Sequence, residues 1–125
     1  MAPKVLVADD EAPIANVVAM KLRNAGFQVA VALDGVEAYE RARADRPDFL
    51  ITDLQMPGMS GLELVARLTA ELGAGIPTIL LTAKGFELGG ETVRGLPIRR
   101  IMTKPFSPRE LLAAVQEAMG MAVTN

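Results

Sequence analysis

Two short stretches decide the fold: VLVADD at residues 5–10 and FLITD at residues 49–53. Each begins as an apolar run without alternation, as is typical of a strand that is covered on both faces of a sheet. Each run then ends in aspartate, and an amphipathic stretch with helical spacing follows. Such alternation of buried strands and helices predicts an α/β fold with a parallel sheet between two layers of helices.

The same alternation continues along all 125 residues. We expect strands near residues 4–8, 28–32, 49–52, 78–82 and 99–103, and a last helix near residues 108–119. The result is a (βα)₅ arrangement in a single domain that covers residues 1–125, with no output domain. Glycines and a proline in residues 83–97 leave room for only a short, weak helix around residues 86–93.

Composition excludes several classes of site and of protein. The chain has no cysteine and no histidine, which excludes a disulfide, a thiolate or imidazole metal site and a Ser-His-Asp triad. With 13 basic and 15 acidic residues the net charge is −2, which argues against direct nucleic-acid binding. Signal-peptide features and a membrane-length apolar run are absent, so we expect a cytoplasmic protein without membrane insertion.

Residues that can carry chemistry follow four of the five predicted strands. Asp9 and Asp10 follow the first strand, Asp53 ends the third, Thr82 ends the fourth, and Lys104 lies just after the fifth. Ligands of open α/β sheets bind beyond the carboxyl ends of the strands. If these four strands are neighbours, the five side chains converge on one shallow pocket.

Clustered carboxylates repel one another, and oxygen ligands without imidazole or thiolate suit Mg²⁺, Mn²⁺ or Ca²⁺. A lysine and a hydroxyl nearby are partners for phosphate oxygens, and a carboxylate beside the metal can attack phosphorus. Taken singly, the acids can be turn or cap residues, the threonine a backbone hydrogen-bond donor, and the lysine a surface charge. Their joint occurrence at four strand ends favours phosphoryl chemistry.

At these residues the chain resembles the receiver domain of two-component response regulators, over essentially its whole length. The matching stretches are VLVADDE at residues 5–11, DLQMPGMSG at 53–61, LTA at 81–83 and KPF at 104–106. This resemblance implies a flavodoxin-like, doubly wound domain whose five parallel strands have the order 2-1-3-4-5.

The resemblance also implies roles for the acidic residues. Asp53 would accept a phosphoryl group from a sensor histidine kinase or a phosphotransfer protein. Asp10 would ligate Mg²⁺ (or Mn²⁺) directly and Asp9 through water, and Asp53 and the backbone carbonyl of Gln55 would complete the protein ligands. The protein would signal to a downstream protein target. It would catalyse its own phosphorylation and dephosphorylation without being a metabolic enzyme.

Further residues obtain roles in the same way. Lys104 would contact a phosphoryl oxygen, and Thr82 would swing towards another as part of the switch. The bond between Lys104 and Pro105 would be cis. Gln55 and Lys84 would flank the phosphoryl group and tune how quickly water removes it.

The chain departs from the family at the second switch position. Receivers often carry Tyr or Phe three residues before the lysine, where this chain has Ile101. We therefore expect residues 85–97 to be loosely ordered without phosphate and to become ordered on phosphorylation of Asp53, with Thr82 as the link.

Three alternatives remain at this stage. A pseudo-receiver of the same fold, never phosphorylated, would act as a protein-interaction module. A phosphohydrolase with an aspartate nucleophile usually carries a second acid two residues later, where this chain has Gln55. A nucleotide-binding protein would need a glycine-rich phosphate loop after its first strand, and none is present.

Overall fold

The computed structural model describes residues 2–73, 75–83 and 94–123. Its strands are β1 (Lys4–Ala8), β2 (Gln28–Ala32), β3 (Phe49–Asp53), β4 (Thr78–Thr82) and β5 (Ile98–Thr103). The helices of these ranges are α1 (Ala12–Asn24), α2 (Gly35–Ala44), α3 (Gly61–Leu72) and α4 (Pro108–Ala118). None of these helices is long and apolar enough to cross a membrane. The weak helix expected around residues 86–93 lies outside the described residues.

All five strands pair in parallel in the order β2-β1-β3-β4-β5, which confirms the expected α/β fold class and strand order. The chain therefore runs outwards from β1 in one direction to β2 and in the other to β3. Loops that leave β1 and β3 diverge at this point, and a crevice opens between them at the carboxyl edge.

Two apolar clusters cover the two faces of the sheet. Val5 and Val7 of β1 pack with α1 and α4, whereas Leu6 and Ala8 pack with α2 and α3. Every residue of β3 is buried, as is every residue of β4. Burial on both faces is the physical reason why these strands read as continuous apolar runs instead of alternating ones.

Not every apolar residue of helix α1 faces the sheet. By its spacing Val17 belongs to the apolar positions of this helix, but its side chain is 52% exposed, and Ala15 and Ala19 are buried instead. The stripe that faces the core is therefore built from Ala15, Val18, Ala19 and Leu22. Neighbouring valines on a helix point about 100° apart, so only one of the pair can face the core.

The loop between β3 and α3 is held tightly against the end of the sheet. Ser60 caps α3, because its hydroxyl accepts a hydrogen bond from the backbone N–H of Glu63 at 3.1 Å. The Gly61 N–H donates to the carbonyl of Leu54 at 2.8 Å. A Cβ atom at residue 61 would lie well inside contact distance of the Asp53 carbonyl. The glycine thus allows the helix to begin directly against the strand end.

We expect Gly61→Ala to lower the free energy of unfolding by about 1–3 kcal/mol, because the added methyl group overpacks against Asp53. Alanine within a helix normally stabilises it, so a gain in stability would contradict this prediction. Urea unfolding measures the loss, and the backbone amide shifts of Asp53 and Leu54 report the displacement. Gly120→Ala is the control. Its φ of +72° produces backbone strain, but no atom lies within 4 Å, so this variant should leave the amide shifts of Asp53 and Leu54 unchanged.

Candidate functional site

The structure brings three carboxylates together at the carboxyl edge of the sheet. Asp9 follows β1 and is fully buried, Asp10 is exposed beside it, and Asp53 ends β3 with 8% of its surface exposed. Each offers a carboxylate oxygen, and these oxygens all lie within 4.8 Å of one another. The pairing of β1 with β3 produces this convergence, because it sets Ala8 beside Thr52 immediately before the acids.

The fourth and fifth strands bring the remaining two groups to the same edge. Thr82 ends β4 and is buried, and the backbone N–H of Lys104 donates to its carbonyl at 2.8 Å. This hydrogen bond extends the parallel ladder beyond Thr103. It directs the chain after β5 back towards the acids.

Lys104 is the positive centre of the cluster. Its Nζ lies 2.9 Å from Asp9 Oδ2, 2.9 Å from Glu11 Oε1 and 3.3 Å from Asp53 Oδ2. The side chain is only 15% exposed, so solvent screens these contacts less than it screens surface pairs. One ammonium therefore stands against three carboxylates and, with the neighbouring Asp10, the site keeps an excess of negative charge.

Burial raises the pKa of the Asp53 carboxyl; Lys104 lowers it in part, and the neighbouring charges of Asp9 and Asp10 raise it further. For Lys104, burial on its own lowers the pKa. The hydrogen bond to Glu11, the ion pair with Asp9 and the charge of Asp53 outweigh burial, so the pKa of Lys104 lies above its ordinary value. Lys104 is therefore an ammonium throughout the physiological pH range. The ionised form of Asp53 is less favourable than that of an exposed aspartate.

A cavity of about 310 Å³ opens beside these groups. Its lining comprises three acids, one lysine and three neutral residues of the strand-end loops: Asp10, Glu11, Asp53, Leu54, Gln55, Ala83 and Lys104. The cavity is large enough for a hydrated divalent ion together with a small anionic group such as a phosphoryl group.

Two buried oxygen atoms among the described residues have no hydrogen-bond partner: Asp9 Oδ2, which has only its ion pair with Lys104, and Thr82 Oγ1. Buried polar atoms are normally satisfied, so such exceptions mark places where a ligand or an ion completes the site. The donor set for a cation is made of oxygen atoms alone, which is the preference of Mg²⁺ and Mn²⁺. The residues present thus fit a hard divalent cation.

Some of the other predicted site residues line the cavity, and others do not. Gln55 is exposed and lines the cavity, and the Lys104–Pro105 peptide bond is cis. Ile101 is 43% exposed on β5, beside Leu80 of β4. Lys84 lies outside the described residues, as does most of the 85–97 segment for which we expected ordering on phosphorylation.

Two features of the site were not predicted. Glu11 contacts Lys104, although our reading of the acidic run gave a role only to Asp9 and Asp10. A second cavity of about 540 Å³ adjoins the first, and its walls are mainly apolar residues of α1 and of the 104–108 segment. The third acid of the run and the prolines of this segment were the available signals. Which contacts these residues make depends on how α1 and the segment after β5 pack.

We expect Asp53→Asn to raise the free energy of unfolding by about 1 kcal/mol at pH 7. The raised pKa of Asp53 means that this group contributes stability at low pH and loses it as pH rises through the folded-state pKa. Asparagine cannot ionise, so the variant does not lose stability as the pH rises. Lys104 keeps its contacts with Asp9 and Glu11.

The measurement is urea unfolding of both proteins at pH 7 and below the ordinary aspartate pKa of 3.8, where the difference should shrink. Glu40→Gln, an exposed change of the same charge on α2, is the control and should not alter stability. A less stable asparagine variant at pH 7 would show that the contact with Lys104 outweighs the burial of Asp53.

Comparison with known proteins identifies the family of this chain. The chain is 40% identical over 118 residues to the phosphate regulon transcriptional regulatory protein PhoB of Pseudomonas aeruginosa, and the match covers 92% of this chain and 51% of that protein. It is 36% identical over 124 residues to the DNA-binding response regulator MtrA of Mycobacterium tuberculosis (strain H37Rv), covering 93% of this chain and 50% of that one. The chain spans about half the length of these curated relatives.

Solved structures of response regulators are also similar to this chain. The chemotaxis response regulator CheY4 of Vibrio cholerae is similar with a TM-score of 0.85 and 31% identity, covering 94% of this chain and 99% of that chain. The receiver domain of the Francisella response regulator 1452 is similar with a TM-score of 0.83 and 32% identity, covering 94% and 97%. The family model of the response regulator receiver domain matches residues 5–116. With that match over most of the chain and the acidic cluster at its strand ends, the chain belongs to the receiver domains of two-component response regulators.

Proposed function

We propose that this receiver domain is a phosphorylation-dependent signalling switch that accepts a phosphoryl group on Asp53 from a sensor histidine kinase or a phosphotransfer protein. The observation that carries the proposal is the position of the Asp53 carboxylate, 3.3 Å from Lys104 Nζ and within 4.8 Å of the Asp9 and Asp10 carboxylates. Asp53 borders the 310 Å³ cavity, so a donor phosphate can reach it.

The reaction is an in-line displacement at phosphorus. An Asp53 carboxylate oxygen forms the new bond to phosphorus, and the bond between phosphorus and the donor nitrogen breaks. The donor imidazole leaves with the bonding electron pair and takes up a proton, and the product is an acyl phosphate. Water reverses the modification when its oxygen attacks phosphorus and the aspartate carboxylate leaves.

Lys104 supplies positive charge where the transferring group carries negative charge. Its ammonium already lies beside Asp53 and requires no proton transfer to act, because its pKa is raised by its acidic neighbours against the opposing effect of burial. Such fixed positive charge in a largely buried site stabilises a phosphoryl transition state without reorganisation of solvent.

The carboxylates of Asp9, Asp10 and Asp53, together with the backbone carbonyl of Gln55, would hold Mg²⁺ or Mn²⁺. When bound, the ion offsets charge on the transferring phosphoryl oxygens. The support for this part of the proposal is the all-oxygen donor set and the excess of negative charge that the single ammonium of Lys104 leaves on the cluster.

Thr82 is proposed as the first residue of the conformational response. Its hydroxyl is buried and has no hydrogen-bond partner in the described residues, so a new phosphoryl oxygen would satisfy it. Gln55, which borders the cavity, and Lys84 are proposed to set the lifetime of the phosphoryl group. The switch partner of Thr82 would be Ile101, whose exposed aliphatic side chain cannot act through an aromatic ring.

The proposed partners follow from this chemistry. The kinase or phosphotransfer protein presents a phosphohistidine, and the phosphorylated domain is then recognised by a downstream protein target. We propose that these exchanges occur in the cytoplasm, where ATP is available to the kinase. The net charge of −2 does not favour direct contact of this domain with nucleic acid.

Acetyl phosphate with Mg²⁺ should add the mass of one phosphoryl group to the intact protein. The label should be acid-stable and base-labile, as expected for an acyl phosphate. Asp53→Asn should abolish the mass increase, whereas the surface variant Glu40→Gln should retain it. An unmodified wild-type protein, or equal labelling of Asp53→Asn, would favour the pseudo-receiver that acts only through protein contacts.

Mg²⁺ should stabilise the folded protein, because it binds the native cluster and not the unfolded chain. At ten times its dissociation constant the expected gain is about 1.4 kcal/mol, measured as a rise in Tm. Asp10→Asn should reduce the gain at the same Mg²⁺ concentration, and because Asp10 is exposed this variant should still fold. Sodium chloride at equal ionic strength is the control, and an equal rise with sodium would contradict specific binding.

A further inference from the structure

Glu11 differs from the other two carboxylates that contact Lys104. The side chain of Asp9 is fully buried and that of Asp53 is 11% exposed, but the side chain of Glu11 is 57% exposed. Its contact with Lys104 is nevertheless as short as that of Asp9, at 2.9 Å. Glu11 is thus the only one of the three that can turn into water without leaving a buried charge behind.

Carboxylate oxygens already surround the ammonium of Lys104 in this arrangement. It carries three N–H groups, and three carboxylate oxygens lie at 2.9, 2.9 and 3.3 Å. A phosphoryl group on Asp53 adds oxygens that need a donor from the same ammonium. The phosphoryl oxygens take the place of the Asp53 carboxylate at 3.3 Å, and their added negative charge competes with Asp9 and Glu11 for the ammonium. Release of Asp9 would leave an uncompensated charge in a fully buried position, so Glu11 is the contact that can yield.

We propose that Glu11 is a positioning residue that holds Lys104 in the unphosphorylated protein and releases it when Asp53 is phosphorylated. The Glu11–Lys104 pair then slows the uptake of the phosphoryl group, because it must weaken before Lys104 can serve the transferring oxygens. This inference rests on the proposed function of Asp53.

The position of the pair supports its release. Glu11, Ala83 and Lys104 line both the 310 Å³ cavity at the acids and the adjoining 540 Å³ cavity beside α1. Glu11 therefore lies on the rim between the two, where its carboxylate has space to move away from Lys104. Its backbone N–H stays anchored on Asp9 Oδ1 at 2.9 Å, so the main chain need not move.

Two variants of Glu11 separate the contact from the charge. Glu11→Gln keeps the length of the side chain and removes its charge, whereas Glu11→Asp keeps the charge and shortens the reach. Because ion pairs with an exposed partner are weak, we expect both variants to take up the phosphoryl group from acetyl phosphate and Mg²⁺ about two- to fivefold faster than wild type. The rate constant for loss of the group should change less, because the pair is already broken in the phosphorylated protein.

The experiment follows the phosphorylated fraction over time by intact-protein mass, for uptake and for loss after removal of acetyl phosphate. Glu40→Gln is the charge-matched control and should behave as wild type. Introducing Glu11→Gln into a Lys104→Gln background should have no further effect on uptake. If Lys104→Gln does not fold, the comparison of Glu11→Asp with wild type decides the question.

The outcomes distinguish this inference from the function on which it rests. Wild type labelled at Asp53, with Glu11→Gln and Glu11→Asp at the wild-type rate, would overturn the role of Glu11 and leave the phosphoryl acceptor intact. Faster uptake by Glu11→Gln alone would also overturn it, because a general charge effect would then suffice. Absence of any label on wild type would overturn both.

Discussion

One ammonium surrounded by carboxylates is the arrangement on which the rest of this receiver domain depends. Lys104 contacts Asp9, Glu11 and Asp53, and its charge is what permits two of these acids to be buried. Burial of a carboxylate without such a partner is strongly unfavourable. The ammonium does not neutralise the whole cluster, and the remaining negative charge is the physical basis for proposing a divalent cation.

The topology of the sheet brings these groups to one edge. Parallel pairing puts all carboxyl ends of the strands on the same side, and the order β2-β1-β3-β4-β5 makes the strands that carry Asp9, Asp53 and Thr82 consecutive neighbours. Two apolar clusters, one on each face, pack the strands against the helices. Close approaches such as that of Gly61 to the Asp53 carbonyl keep the loop after β3 in place.

Partial exposure divides the acidic residues into two groups with different capacities for change. Asp9 is anchored by burial and by its hydrogen bond from the Glu11 N–H, and it can only act in place. Asp10 and Glu11 are exposed, so they can exchange partners as ions and anionic groups arrive. The hydroxyl of Thr82 is as deeply buried as Asp9, but it has no hydrogen-bond partner within the part of the chain that the structure describes.

The sequence by itself determined the α/β class, the approximate positions of the strands and the gathering of Asp9, Asp10, Asp53, Thr82 and Lys104 at strand ends. These features follow from local patterns, because apolar runs, caps and periodicity act over a few residues. Only the tertiary structure decided which face of α1 is inward, where Val17 is exposed, and that Glu11 shares Lys104 with the buried acids. Glu11 and Lys104 are 93 residues apart in the chain. Their contact depends on how the segment after β5 packs against α1, and no local pattern encodes that geometry.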